Sequence, residues 1–439
     1  MYLEVCAALG LMVAFMISAW HLRNGRVITL FNAYLALTVI EFGGGIAKQI
    51  TYQQTHATSL LVRATEYRCI ALGAVAAGYL ATISISRLPS SEVARINMRA
   101  ILKARWNARV RRRLTLVASI LLIIVSSTLL YKIYKAGGIS TYLASMYQWR
   151  FGTGANDENA TVWLAAASLA SMPLAAIAAV LAQAVAVQVD SQKIRLRLGV
   201  VVLMQLGLAG LHGRRMGVIA VLGVPLAVWL MQRPPTRRAL SGLIAATVVT
   251  FVAMNWIHYK LYEMTADWDG RSIVETIAIS VPPQAQLETL ASVLECADRN
   301  NPIGLDHYTN TIGSVVPRLI WESKPLASES GTLAIQSWSE LPTHYQMAVT
   351  DVGEAIASLG EYGIGTLALL GIIYAIFDRC LFADPIGRAV VIGVCLPRVM
   401  ADQGMGASAV VLTILGFMAA YAILQACFMK PSRLGGKLP

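Results

Sequence analysis

Charged side chains are scarce in this chain, and their scarcity excludes an ordinary soluble fold. Only 14% of its 439 residues are Asp, Glu, Lys or Arg, whereas 56% are hydrophobic. Apolar runs recur that are longer than a soluble core needs, and roughly 20 such residues cross the hydrocarbon as a helix. Because a helix satisfies its own backbone groups where no water is present, the sequence predicts an all-α polytopic membrane protein.

Cysteine patterns typical of disulfide frameworks or zinc sites are also missing. The six Cys residues show no CxxC spacing, and only Cys296 falls in the longest polar segment, so no disulfide can close within that segment. We therefore expect no cofactor, although a metal site made of carboxylates stays open because its spacing is not diagnostic. The first apolar run has no Lys or Arg before it and contains Glu4, which favours a retained helix over a cleaved signal peptide.

What the sequence does contain is a series of apolar segments, and we predict about eleven transmembrane helices from them. The predicted spans are residues 3–20, 27–46, 69–86, 114–131, 161–187, 198–211, 217–231, 239–257, 363–377, 389–400 and 409–428. They divide the chain into eight spans within 1–257, a polar segment at 258–362, and three spans with a terminal tail within 363–439.

Basic residues predict the orientation of these spans. Alternate short loops hold 22 of the 36 Lys and Arg residues, so this set of loops is expected to be cytoplasmic. The N-terminus then faces outward and the C-terminus inward. The run "RWNARVRRR" (105–113) belongs to this set; a cytoplasmic anchor is the favoured interpretation, anionic lipid stays open, and no nucleic-acid partner is expected.

The segment 258–362 is the largest interruption of the helical pattern and contains 14 of the 24 acidic residues. A connection of this length normally carries function, and the charge pattern places it on the outer face. Within it, "AQLETLASVLECADR" (285–299) has the period of an amphipathic helix. Such a helix could lie on the membrane surface or cover a cavity.

The segment "LHGRRMG" (211–217) places Arg214 and Arg215 between apolar runs of 14 and 15 residues. At 1.5 Å per residue each run covers roughly 21 to 23 Å, less than the ~30 Å hydrocarbon core, so we expect the pair to be recessed. A recessed Arg costs at least ~2.5 kcal/mol unless water, a counter-ion or an anion meets it. Two interpretations stay open: a phosphate site, which suits guanidinium geometry, and a pair that reaches lipid headgroups.

Arg398 in "CLPRVMADQG" (395–404) is another candidate cation near the membrane. Asp402 follows four residues later, so an ion pair along one helix would satisfy both side chains without any substrate. Arg398 is therefore equally consistent with binding of a substrate anion and with this structural ion pair.

The stretch "VPRLIWESKP" (316–325) combines two prolines with Arg318, Trp321 and Lys324. Proline restricts the backbone at two points, and a stiff segment that presents two cations suits recognition of an anion on the outer face. Trp321 could stack on a sugar ring or belong to the interfacial aromatic belt.

General acid or base candidates in the same loop are headed by Glu354 and His307. Acid–base catalysis needs a side chain within ~3 Å of the transferred proton. A structural role for Glu354 is also open, because Asp351 and Glu354 have capping-box spacing at the start of a helix. For His307, a hydrogen-bonded histidine of the loop is the favoured interpretation.

Three segments together resemble the Wzy-type polymerases of oligosaccharide repeat units, the O-antigen polymerase family. They are "GLDHYTNTIGSVVPRLIWESKP" (304–325), "GEAIASLGEYGIG" (353–365) and "GLHGRRMG" (210–217). The chain departs from the family pattern at Glu322 and Ser323, where Pro and a polar residue are frequent, in its Arg doublet, and at Leu359, where an aromatic is common.

The resemblance implies a GT-C type glycosyltransferase in the bacterial inner membrane with one large periplasmic loop. Its donor and acceptor would be undecaprenyl-diphosphate-linked oligosaccharides, with membrane lipid around it and a Wzz-type chain-length regulator as a further partner. Transfer would be en bloc to the end sugar of the incoming repeat unit. Because positioned cations can stabilise the leaving diphosphate without a metal, and because displacement from the opposite face inverts the anomeric centre, we expect inverting transfer that is independent of metal. The expected catalytic residues are Glu354, His307 and Arg318. The expected diphosphate- or glycan-binding residues are Arg150, Arg214, Arg215, Arg318, Trp321, Lys324 and Arg398.

Two other functions remain alternatives. An O-antigen ligase would use the same donor with a lipid A core acceptor, and a flippase or exporter would move lipid-linked sugar without forming a glycosidic bond. The Pro-Arg, Trp, Lys-Pro segment favours the polymerase, and the single large outer loop argues against transport.

Overall fold

The computed structural model describes a protein made entirely of helices and connecting segments within its described residues. These are residues 2–51, 58–85, 88, 91–144, 158–188, 191–211, 215–232, 256, 284–306, 335, 338, 350–402 and 407–429. The helices are α1 Tyr2–Arg23, α2 Leu30–Thr51, α3 Thr58–Ile85, α4 Ser91–Arg105, α5 Ala108–Lys135, α6 Ile139–Ala144, α7 Glu158–Ala186, α8 Ser191–Leu211, α9 Arg215–Gln232, α10 Gln284–Ala297, α11 Asp351–Leu359, α12 Leu367–Ala383, α13 Pro385–Val390, α14 Leu396–Asp402 and α15 Ala407–Phe428.

Five helical stretches in the described part of the chain are long and apolar enough to cross a membrane. They are Leu3–Arg23, Ser59–Ile85, Ala108–Lys135, Glu361–Ala383 and Ala409–Phe428. This agrees with an all-α membrane protein, while the count of eleven spans stays a prediction. The predicted span 239–257 lies, apart from one residue, outside the described residues.

The helix α3 differs most from its predicted span, since it begins at Thr58 rather than at 69. Its first turns contain Arg63, Glu66 and Arg68, and hydropathy therefore assigned them to a loop. Arg68 is nevertheless buried, because other helices supply its partners. A pattern of apolar residues does not reveal such pairing.

The helices α8 and α9 are also longer than the apolar runs that predicted them. They have 21 and 18 residues, which corresponds to roughly 31 and 27 Å. Short length alone therefore does not place Arg214 and Arg215 below the surface, and their recessed position stays a prediction. The extra residues of α8 are its polar first turns, which include Lys193 and Arg195.

The tenth predicted span, 389–400, is not one regular helix. Asp384 caps α13 by accepting hydrogen bonds from Ile386 N at 2.8 Å and Gly387 N at 2.9 Å. A π-helical segment, Val391–Cys395, then joins α13 to α14. The ninth span likewise begins with a 3-10 turn, Glu361–Thr366, before α12.

The helix α3 packs between α1 and α12 through glycine contacts on both sides. A Cβ atom on Gly73 would lie 2.8 Å from Gly10 Cα in α1. On the other side, a Cβ on Gly371 would lie 2.0 Å from Val75 O, and one on Gly78 would lie 1.9 Å from Ala368 O. The backbones of these helices therefore touch, which is how closely packed membrane helices associate.

The helix α10 confirms the predicted amphipathic segment. Its apolar stripe, Leu287, Leu290, Val293 and Leu294, is buried. The stripe packs in the protein core, where α10 contacts α2, α3 and α11. Of the two locations left open by the sequence, the membrane surface is therefore excluded for this stripe.

Substitution Gly371→Ala should destabilise the protein, because the new methyl group would overlap Val75 O and force α3 and α12 apart. Overpacking of this kind costs about 1 to 3 kcal/mol. The matched control is Gly199→Ala in α8, where a Cβ meets nothing within 4 Å. The thermal unfolding midpoint of the purified protein in detergent measures both. Equal midpoints for the two variants would contradict the close helix contact.

Candidate functional site

The helix α11 contains the acidic residues of one family-like segment, and a threonine determines where it begins. Thr350 is extended, and its Oγ1 accepts a hydrogen bond from Gly353 N at 3.1 Å. Thr350, not Asp351, is therefore the N-cap, and the capping-box interpretation of Asp351 and Glu354 is wrong. Since Thr350 satisfies the helix end, the side chain of Asp351 is available to the protein interior.

Asp351 belongs to a buried cluster of polar side chains from three helices, which we call the Arg68 cluster: Tyr34 and Glu41 of α2, Arg68 of α3, and Asp351. Arg68 donates from Nε to Glu41 Oε2 at 2.9 Å and from Nη1 to Asp351 Oδ1 at 2.5 Å. Tyr34 donates its hydroxyl hydrogen to Asp351 Oδ2 at 2.7 Å and accepts from Arg68 Nη1 at 3.1 Å. One guanidinium group thus joins α2, α3 and α11.

The Arg68 cluster is almost completely shielded from solvent. The side chains of Arg68 and Glu41 are each 1% exposed, and that of Asp351 is 0% exposed. Removing such charges from water costs several kcal/mol per ion, so they persist only with well-placed partners. The guanidinium also lies 5.1 Å from the centre of the Tyr34 ring, which adds a cation–π contact.

Glu354 lies one helical turn after Asp351 and is 5% exposed. Its backbone N donates to Thr350 O at 2.8 Å, and its carbonyl accepts a hydrogen bond from Ser358 Oγ. Both acidic residues lie in the first turn of α11, where the partial positive charge of the helix end favours carboxylates. The Arg68 cluster therefore holds the helix that carries the predicted catalytic base.

The start of one family-like segment contacts the last turn of α11, which lies within another family-like segment. Ile303 N donates to Ala357 O at 2.9 Å, and Gly304 N donates to Ser358 O at 3.0 Å. These bonds use carbonyls of the last turn of α11, which have no partner within a helix. The described start of segment 304–325 therefore lies at the C-terminal end of α11.

A glycine turn separates α11 from the next element. Gly360 has φ +69° and ψ −163°, a conformation that is accessible to glycine and strongly disfavoured for other residues. The chain then enters the 3-10 turn, where a Cβ on Gly363 would lie 2.0 Å from Ala355 O. The backbone conformation at 360 and the close backbone contact at 363 therefore both favour glycine in this fold.

An exposed ion network lies beside the Arg68 cluster, one to two turns earlier on α3. Arg63 bonds to Asp298 at the end of α10, at 2.6 and 2.9 Å, and to Glu361 at 2.6 Å. The hydrogen bond from Arg63 lowers the pKa of Asp298 below its ordinary value. Because all three side chains are partly exposed, this network adds little stability, but it fixes α10 against the start of the 3-10 turn.

A second buried polar cluster lies nearer the C-terminal end of α3. Asp378 of α12 accepts hydrogen bonds from Leu30 N at 2.7 Å and from Tyr79 OH at 2.9 Å. Tyr79 follows Arg68 by eleven residues on α3, or roughly 16 Å along the helix. The two clusters therefore hold α2 and α3 in register at two separate depths, one through α11 and the other through α12.

The structure describes only part of the predicted site. His307, Arg318, Trp321, Lys324, Arg150 and Arg214 lie outside the described residues. Arg215 begins α9, and Arg398 is half-buried on α14. Among the described residues, no group of three or more His, Cys, Asp or Glu side chains could hold a metal ion.

Sequence reasoning missed Tyr34, Glu41 and Arg68, although two of them carried a signal. Glu41 lies inside the predicted span 27–46, and Arg68 directly precedes the span 69–86. An ionisable residue within an apolar helix marks a candidate functional position. One partner of Arg68, however, is Asp351 of α11, which lies more than 280 residues away in the sequence.

Comparison of the chain with protein-family models, with curated proteins and with solved structures finds no match.

Substitution Arg68→Gln should destabilise the protein by about 3 to 5 kcal/mol, because it removes the cation shared by two buried carboxylates. The control is Glu41→Gln, whose amide oxygen can still accept the hydrogen bond from Arg68 Nε. It should cost much less, since the Arg68–Asp351 pair remains. Chemical or thermal unfolding in detergent measures both. If Arg68→Gln is no less stable than Glu41→Gln, Arg68 does not organise the cluster.

Proposed function

We propose that this protein is a membrane glycosyltransferase of GT-C type that polymerises lipid-linked oligosaccharide repeat units. It takes a glycan carried on undecaprenyl diphosphate and transfers it en bloc to the end sugar of an incoming lipid-linked repeat unit. The reaction takes place at the periplasmic face of the bacterial inner membrane, with the N-terminus periplasmic and the C-terminus cytoplasmic.

The observation that carries this proposal is the contact between two family-like segments. Gly304, the first residue of segment 304–325, donates from its N to Ser358 O, and the preceding Ile303 donates to Ala357 O. Segment 353–365 contains most of α11 and the following turn. Two segments separated by about thirty residues are thus in contact at one short, buried helix. This supports a common site that combines the carboxylate of Glu354 with the cations of segment 316–325.

In the proposed reaction, an acceptor hydroxyl oxygen attacks the anomeric carbon of the donor glycan. The new glycosidic C–O bond forms as the bond between that carbon and the phosphate oxygen breaks, and the lipid diphosphate leaves with the bonding electrons. Attack from the opposite face inverts the anomeric centre. The hydroxyl proton passes to the carboxylate of Glu354, with His307 as the other candidate base.

Positioned cations lower the barrier by stabilising the negative charge that develops on the leaving diphosphate. We assign this role to Arg214, Arg215, Arg318 and Lys324, with Arg150 and Arg398 as further binding residues. Guanidinium groups bind phosphate oxygens in pairs and stay charged when partly desolvated. Trp321 either stacks on a sugar or anchors the loop at the interface.

The Arg68 cluster supports this site through the position of α11. A general base must be held close to the reacting hydroxyl, and small displacements reduce the rate strongly. Since Arg68 binds Asp351 at the first position of α11, it acts through the backbone that carries Glu354. Arg68 is thus a positioning residue of the proposed enzyme.

Substitution Glu354→Gln should reduce polymerisation by about 10²-fold or more, because the amide cannot accept the proton. The assay combines purified protein in liposomes with lipid-linked repeat units from the source bacterium, and the product is a ladder of glycans on a gel. The matched control is Glu295→Gln, an acid paired with Arg299 on the surface of α10, which should keep full activity. A full ladder from folded Glu354→Gln protein would contradict the role of Glu354 as the base, and His307 would then be the remaining candidate.

Substitutions Arg318→Ala and Arg214→Ala should each abolish the ladder while the yield of folded protein is retained, because each removes a cation from the leaving diphosphate. Activity should persist in EDTA if these cations replace a metal. Retained activity in both variants would contradict the role of these cations in binding the diphosphate. Loss of activity on chelation would contradict the proposal that the reaction is independent of metal.

The same assay distinguishes the alternative functions. A glycan attached only to a lipid A core acceptor would indicate a ligase, and sugar transport without a new bond would indicate a flippase.

A further inference from the structure

The helix α4 connects two helices that are long and apolar enough to cross a membrane, α3 and α5. It therefore lies at the membrane boundary, on the side that the basic residues predict to be cytoplasmic. Its start is fixed by Arg26, which donates from Nη2 to Leu88 O at 2.8 Å. Its far end is fixed by Asn107, whose side chain caps α5 by accepting from Val110 N at 3.0 Å.

One side of α4 packs against the protein. Ala94, Met98 and Leu102 follow each other at intervals of four residues and are 1–2% exposed. The helix contacts α12 and α13. This stripe attaches α4 to the helix bundle, and it occupies only one side of α4.

A second side of α4 is apolar and exposed. Val93 and Ile96 are 51% and 58% exposed, and Ala100 and Ala104, also exposed, continue the same stripe at helical spacing. Exposed apolar side chains at a regular helical interval indicate contact with something other than water.

The third side of α4 is charged. Glu92, Arg99 and Lys103 are exposed at intervals of seven and four residues, on a side of the helix that adjoins the exposed apolar stripe. Residues 91–113 contain eight Lys or Arg and one acidic residue. Arg113 is used by the fold, since it donates to Ala426 O and Met429 O at the end of α15, but Arg99, Lys103, Arg105, Arg109 and Arg112 are exposed.

We propose that α4 and the first turn of α5 form a binding surface for anionic phospholipid of the membrane in which the protein sits. The stripe of Val93, Ile96, Ala100 and Ala104 enters the acyl region, and the stripe of Arg99 and Lys103 binds lipid phosphates. A helix with one apolar and one basic exposed side lies in the interface plane in this way. Nucleic acid would meet the basic side, but it would leave Val93 and Ile96 in water.

The test uses the full-length protein in a neutral detergent, titrated with phosphatidylglycerol or with phosphatidylcholine and followed by native mass spectrometry. Phosphatidylglycerol should bind more tightly. Each Lys or Arg near an anionic surface contributes about fivefold in affinity, so Arg99→Gln with Lys103→Gln should lower the affinity about 25-fold. The matched pair Lys193→Gln with Arg195→Gln, exposed at the start of α8, removes the same charge and should lose less than fivefold. Equal losses in the two pairs would overturn the proposal.

A second pair tests the apolar half of the surface without changing its charge. Val93→Asn with Ile96→Asn should weaken phosphatidylglycerol binding while leaving the thermal midpoint unchanged, because both side chains are exposed. Unchanged lipid affinity in this pair would overturn the proposal. So would a single-stranded RNA that displaces the lipid and whose binding depends on Arg99 and Lys103 but not on Val93 and Ile96. These results are independent of the glycosyltransferase proposal, which the ladder assay decides.

Discussion

The interaction on which the candidate site depends is the sharing of one buried guanidinium by two carboxylates. Arg68 cannot lie inside an apolar helix bundle without partners, and it obtains them from two other elements: Glu41 from α2 and Asp351 from the start of α11. Because the contacts are charged and directional, they fix both the depth of α11 and its orientation. A purely apolar contact would allow α11 to slide, whereas these hydrogen bonds allow a single arrangement.

The position of α11 in turn determines what the proposed site contains. Its N-terminal turn carries Glu354, and its C-terminal carbonyls hold Ile303 and Gly304, so the segment with Arg318 begins where α11 ends. The glycine contacts of α3 with α1 and α12 fix α3, the helix that carries Arg68, within the bundle. Glycine packing thus places Arg68, and its pairing with buried carboxylates places the proposed catalytic carboxylate.

How much of this was predictable differs between individual elements. The amphipathic helix at 285–299 was predicted correctly because its apolar period is local, and its stripe of Leu287, Leu290, Val293 and Leu294 is buried. The start of α3 was predicted wrongly because Arg63, Glu66 and Arg68 resemble a loop in a hydropathy pattern. The N-cap of α11 was predicted one residue too late, since Thr350 and Asp351 are both good caps. Only the structure distinguishes them, because Thr350 accepts from Gly353 N whereas Asp351 accepts from Arg68. The cations of the proposed diphosphate clamp remain sequence predictions.

The sequence by itself determined that the chain is helical and apolar and where basic residues accumulate. It also determined which glycine-rich and proline-rich segments are candidates for function. These properties follow from local composition and from periods of 3.6 residues, which any stretch of chain expresses without its partners. Only the tertiary structure decided that Arg68, Glu41, Tyr34 and Asp351 form one cluster. The physical reason is that a buried charge is stable only when it is paired, and one partner of Arg68, Asp351, lies 283 residues away along the chain.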